Sequence, residues 1–212
     1  MTGKEKGAHG QNLIGVVLAG GLSSRLGHDK ASLRLAHDWD LDLLARAVTV
    51  LRSCCQQVIV VGREHPDYEC YPDAIPGRGP VGGIATALEI CAGACLVLSC
   101  DLPFMEAKVL ERLVACRAER PDNTLATLYR QKDIGHVETL VAVYEKKALP
   151  FFQACTFESK LKISRVVPLE RQHFLEYAAD EALPFFNINY PADLLVARKI
   201  LQLQAVDEML RP

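Results

Sequence analysis

Three short apolar runs, residues 14–18, 58–61 and 96–99, alternate with stretches whose apolar side chains recur at helical spacing, about 41–55, 82–91 and 106–117. Runs of four or five apolar residues suit strands buried on both faces and are too short for ordinary helices. Strand and helix in strict alternation require right-handed crossovers, so the expected fold is a single-domain three-layer α/β/α structure. Its core is a mostly parallel, doubly wound sheet of Rossmann-like type. The second half reads less regularly, with strands at 123–129 and 137–144, a helix at 146–155 and a strand at 162–167. A last helix follows Pro191, whose fixed φ suits a first turn, and Leu194, Leu195, Ala197, Ile200 and Leu201 give that helix one apolar face. Residues 1–12 are polar and glycine-containing and read as a loose arm before one domain over 13–212.

Lys and Arg number 24 against 26 Asp and Glu, which leaves no basic field for a nucleic-acid backbone or an anionic membrane. Small anionic ligands need only local charge and stay open. No apolar run approaches the ~18 residues of a membrane span. The first ten residues carry no export core, so the eight cysteines are expected as reduced thiols in a cytoplasmic protein. No Cys-x-x-Cys pair marks a zinc or iron–sulfur site, and the histidines lie at no ligand spacing.

The first strand runs through Leu18 and Ala19 into Gly20 and Gly21, then Arg25 and Lys30. Two residues without a Cβ let the backbone turn sharply and aim N–H groups at one anion, and the two cations supply charge, the pattern of a triphosphate cradle. The spacing is neither the dinucleotide fingerprint nor the Walker loop. Asp101 follows the third strand and so reaches the same carboxyl edge, where a lone carboxylate beside phosphates meets the ligand demand of Mg²⁺; its other reading is a turn former before Pro103. Gly79, Pro80 and Gly82 belong to a Gly/Pro loop entering a helix, which reads either as a structural turn or as backbone that meets the edge of a base. Asp73, upstream of it, reads as an acceptor for ligand hydroxyls or amines, or as a solvated loop residue. Asn187 and Asn189 stand two apart and share a face on extended backbone, facing a ligand or a metal's water shell, or else Asn189 caps the last helix.

In order along the chain, Leu18-Ala19-Gly20-Gly21-x-Ser23-x-Arg25-x-Gly27-x-Asp29-Lys30, Asp73-x-x-Pro76-Gly77-x-Gly79-Pro80, Cys100-Asp101-x-Pro103-Phe104 and Asn187-Ile188-Asn189-x-Pro191 resemble the molybdenum cofactor guanylyltransferase family. The resemblance implies transfer of GMP from GTP to the terminal phosphate of molybdopterin, with Mg²⁺ required and pyrophosphate released. It implies Leu18, Ala19, Gly20 and Lys30 on GTP, Asp73 near its nucleoside, and Asp101 on Mg²⁺ and GTP. Arg25 would face the phosphates, and Asn187 and Asn189 the pterin and reacting-phosphate side. Chaperones or acceptor enzymes for the product are the implied protein partners. Where many relatives carry an Asn after the second strand, this chain has Gly62-Arg63, and no nucleoside contact is assigned there. A molybdopterin cytidylyltransferase, or another enzyme joining a nucleotide to a phosphate, is the alternative; Gly20-Gly21 favours guanine, since cytidylyl relatives usually carry Ala-Ala-Gly. A non-catalytic molybdopterin-binding chaperone has no need of Arg25, Lys30 and Asp101 together.

Overall fold

In the computed structural model, residues 13–20, 29–35, 39–155 and 162–210 are described. The strand β1 (Leu13–Leu18) is central because both its faces are apolar: Leu13 and Val17 point to one side, and Val16 and Leu18 to the other. After it come α1 (Leu43–Arg52), β2 (Val58–Val61), β3 (Cys70–Tyr71), α2 (Gly79–Ile90), β4 (Ala94–Ser99), α3 (Ala107–Ala118), β5 (Ala126–Gln131), β6 (Val137–Tyr144), α4 (Leu149–Cys155), β7 (Gln172–Tyr177) and α5 (Pro191–Leu210). The seven strands form one sheet in the order β3-β2-β1-β4-β6-β5-β7. β6 pairs antiparallel with both β4 and β5, and every other pairing is parallel.

Alternation along the strands divides the core into two layers. Val17, Leu96 and Leu98 pack with Leu44, Val48 and Leu51 of α1 and Leu110 and Leu113 of α3. On the opposite face Val16 and Val97 pack with Ile84 and Leu88 of α2 and Phe152 of α4. A third cluster, Leu35, Leu43, Phe104, Ile188 and Ala197, seats α5 against the end of the sheet where the first loop emerges. The three-layer, mostly parallel architecture is the one the alternating pattern predicts. No helix among the described residues is long and apolar enough to cross a membrane.

The differences fall in the second half and at element ends. Residues 163–165 form a 3-10 turn instead of part of a strand. Val166 and Val167 are buried there without pairing, and Pro168 follows at once. The strand is Gln172–Tyr177, an edge strand bonded to β5 alone, whose half-polar sequence carries neither a continuous apolar run nor a clean alternation, which concealed it. β5 begins at Ala126, since a turn with Thr124 N donating to Pro121 O occupies the preceding residues. α2 starts at Gly79, three residues before the expected position. On α5, Leu194, Ala197, Ile200 and Leu201 face the core, whereas Leu195 is 66% exposed, since each helical step turns a side chain by about 100°.

Candidate active site at the carboxyl edge of the sheet

Backbone bonds gather the ends of β1, β2 and β4. Ala19 N donates to Val61 O at 2.9 Å, Gly62 N to Tyr71 O at 2.9 Å, and Cys100 N to Leu18 O at 3.3 Å. Here Gly20 and Gly62 are in backbone contact: a Cβ on Gly20 would stand 2.7 Å from Gly62 Cα, and one on Gly62 2.4 Å from Gly20 Cα. Gly62 also has φ +94°, so no other residue fits either position without a shift of backbone. Asp73 closes this junction from below, with Oδ2 3.1 Å from the Gly20 Cβ position and Oδ1 3.5 Å from that of Gly83. Burial raises the pKa of its carboxyl above the usual range, and no cation among the described residues offsets it.

Asp101 is delivered by the turn after β4. Ser99 Oγ donates to its Oδ1 at 2.7 Å, and its backbone carbonyl accepts Ile188 N at 3.0 Å. Arg46 of α1, lying over the Trp39 ring, donates to Pro103 O at 3.1 Å and so fixes the far side of the same turn. The second Asp101 oxygen lies 3.8 Å from Lys30 Nζ, with both side chains more than four-fifths buried. Lys30 Nζ also donates to Asn189 Oδ1 at 2.8 Å. Lys30, Asp101 and Asn189 therefore meet in space although 159 residues separate the first from the last. Asn189 is not the helix cap: Asp193 Oδ2 takes the N–H groups of Asn189 and Tyr190, both at 2.8 Å. Ile188 is fully buried, Asn187 is exposed and Asn189 is half-buried on Lys30, so the Asn-Ile-Asn strip is anchored by its middle residue with one amide outward and one on the Lys30 ammonium.

Gly79, Pro80 and Gly82 lie inside α2 instead of in a loop before it. Gly82 and Gly83 are buried, and a Cβ on Gly83 would press to 3.0 Å on Leu18. Arg78 caps this helix without a side-chain bond to it, so its side chain leaves the first-turn N–H groups of Gly79 and Val81 uncapped, Pro80 having none. Gly21 and Arg25 lie outside the described residues. Among the described residues no group of three His, Cys, Asp or Glu stands together, so a closed metal site is absent there. Asp101 has the other chemistry, a single carboxylate with one oxygen fixed by Ser99 and room in its ligand set for phosphate oxygens and water, which fits Mg²⁺. The thiols of Cys55 and Cys100 are pushed up to about 12 by burial and are inert.

Reasoning from sequence missed Gly62, Arg63, Ser99 and Asp193. Ser99, two residues before Asp101, had a readable signal, because β alternation puts residues i and i+2 on one side. Gly62 had none, since its partner Gly20 is found only through the parallel pairing of β1 with β2.

The family model described as MobA-like NTP transferase domain matches residues 15–185. Two similar proteins carry the name "Probable molybdenum cofactor guanylyltransferase". That of Pelotomaculum thermopropionicum is 32% identical over 87% of this chain and 91% of its own length. That of Carboxydothermus hydrogenoformans is 30% identical over 92% and 99%. Among solved structures, the molybdopterin-guanine dinucleotide biosynthesis protein A of Archaeoglobus fulgidus superposes with TM-score 0.67 at 26% identity, covering 89% of this chain and 98% of that one. The 2-C-methyl-D-erythritol 4-phosphate cytidylyltransferase of Thermus thermophilus shares the fold at TM-score 0.59 and 15% identity, covering 88% and 98%.

Proposed function

Since the chain belongs to the MobA-like NTP transferase family and is a nucleotidyltransferase of molybdenum cofactor biosynthesis, we propose that it transfers GMP from GTP to molybdopterin. A terminal phosphate oxygen of molybdopterin attacks the α-phosphorus of GTP. The bond from that phosphorus to the bridging oxygen breaks, and pyrophosphate leaves. The attacking phosphate is already anionic, so no protein nucleophile or general base is required, and catalysis is positioning plus electrostatic stabilisation.

The observation that carries this reading is the meeting of Lys30 and Asp101, a cation 3.8 Å from a carboxylate, beside the glycine junction at the end of β1. Lys30 neutralises phosphate oxygens, and Asn189, which accepts from its ammonium, sets the direction of approach. Asp101 and the phosphates would hold Mg²⁺, which supplies further neutralisation of charge on the triphosphate. Arg25 adds a second cation from the same loop. Leu18, Ala19 and Gly20 line the nucleotide through their backbone. Asp73, half-buried beside Gly20, accepts from the nucleoside, and the N–H groups of Gly79 and Val81 in the first turn of α2 meet the guanine edge. Exposed Asn187, next to Asp101 through the Ile188 backbone bond, faces the incoming molybdopterin phosphate.

Asp101→Asn is nearly isosteric but lacks the charge that holds a cation. The substituted protein is expected to release pyrophosphate from GTP and molybdopterin at under about a hundredth of the normal rate, with part of the activity recovered at high Mg²⁺. An unchanged Mg²⁺ titration would remove Asp101 from the metal.

A further inference from the structure

Asp29 stands immediately before Lys30, and its carboxylate is engaged on every side. Oδ1 accepts Ala31 N at 3.2 Å and Oδ2 accepts Ser32 Oγ at 2.9 Å, which closes the turn carrying Lys30. The same two oxygens receive both terminal nitrogens of Arg63, at 3.0 and 2.6 Å. Arg63 comes from the end of β2, directly after Gly62, whose backbone touches Gly20. Its guanidinium lies over Asp29 in a two-pronged geometry that fixes direction as well as distance. Among the described residues Arg63 Nε is buried with no acceptor, while both terminal nitrogens go to Asp29. Arg63 holds the Asp29 carboxyl below its ordinary pKa. The side chains are 24% and 48% exposed, and an ion pair that open adds little to global stability. Its consequence is positional.

We propose that the Arg63–Asp29 pair is a latch between the end of β2 and the first loop that presets Lys30 for the triphosphate, making both residues positioning residues for nucleotide binding. The proposal rests on the reading of Lys30 as a phosphate ligand. With the latch closed, the turn after Asp29 is fixed before the nucleotide arrives. Without it the carboxylate still caps its turn but is no longer tied to β2, and ordering Lys30 has to be completed on binding.

The test is a double-mutant cycle with Arg63→Gln, Asp29→Asn and both together, plus Arg63→Lys. Pyrophosphate release gives kcat and KM for the nucleoside triphosphate, and titration with a fluorescent GTP analogue and Mg²⁺ gives Kd without turnover. Each single change is expected to raise KM and Kd about tenfold with kcat within about threefold, and the double change to be no worse than the weaker single one. Arg63→Lys, keeping the charge but losing the fork, is expected to fall between. The melting temperature of the ligand-free protein stays within a few degrees, which separates positioning from simple destabilisation. Unchanged KM and Kd, penalties that add, or a loss confined to kcat would overturn the latch. A parent protein that binds GTP without releasing pyrophosphate would instead overturn the proposed transfer and leave the latch to be judged by Kd.

Discussion

Two carboxylates at the sheet edge are held in opposite ways. Asp29 has its pKa lowered, first by its hydrogen bond with Arg63, so its contribution to stability is present above the ordinary carboxylate pKa and is lost as pH falls through the lower folded value. Asp73 has its pKa raised by burial, so its charged form opposes folding and the penalty appears as pH rises through the raised value. Asp73→Asn is therefore expected to raise the melting temperature of the ligand-free protein near pH 7. The gain should vanish at a pH low enough to protonate the parent carboxyl. If Asp73 accepts from the nucleoside as proposed, the same change is expected to lower kcat/KM for GTP about tenfold or more. Thermal melts at both pH values with parallel kinetics check this; a substituted protein less stable at pH 7 would mean that the half-buried carboxylate has a structural partner. Lys30→Ala is expected to leave the melting temperature nearly unchanged and to lower turnover by ~10²–10³, because charge moves on the phosphates during transfer. Lys30, Asp101 and Asn189 were legible in the sequence, as each follows a strand end or precedes a helix in a motif of fixed spacing. Arg63 was not, because the side chain it meets is 34 residues away and the pairing depends on how β2 sits beside the first loop.

The elements that carry the site show why strand alternation was readable while edges were not. β1, β2 and β4 lie inside the sheet, and burial on both faces leaves a continuous apolar signature. β3 is only two residues long and β7 pairs on one side, so neither has one. The last helix was legible from Pro191, but the segment before it, which brings Asn189 to Lys30, has no regular structure and is held by buried Ile188 together with Asp193, which accepts the Asn189 and Tyr190 N–H groups. Ile188 is 0% exposed among Leu35, Leu43, Phe104 and Ala197, and its backbone N–H bonds Asp101 O. Ile188→Ala is expected to cost about 2–4 kcal/mol through the cavity it opens. Loosening the Asn187–Asn189 strip should also lower kcat, although no polar group is removed. Denaturant unfolding together with turnover tests this, and a destabilised protein with unaltered kcat would mean that the strip is held from elsewhere.

Across the whole molecule, the first half of the chain builds the parallel strands whose carboxyl ends gather Gly20, Gly62, Asp73 and Asp101, and the second half returns once, through Asn187–Asn189, to complete the group. On the proposed reading, the nucleotide would lie over the regular half and the acceptor over the irregular one, with Lys30 and Asp101 where the two meet. Near-neutral overall charge agrees with small anionic substrates met by local cations. The most direct measurement is pyrophosphate release with GTP, CTP and ATP in turn, each with and without molybdopterin, at fixed Mg²⁺. A base that leaves buried N–H or C=O groups unpaired loses ~1–3 kcal/mol for each, so GTP is expected to exceed CTP and ATP by about 10²-fold in kcat/KM, with release dependent on molybdopterin. Equal use of CTP and GTP, a preference for CTP, or release that molybdopterin does not stimulate would contradict guanylyl transfer to molybdopterin.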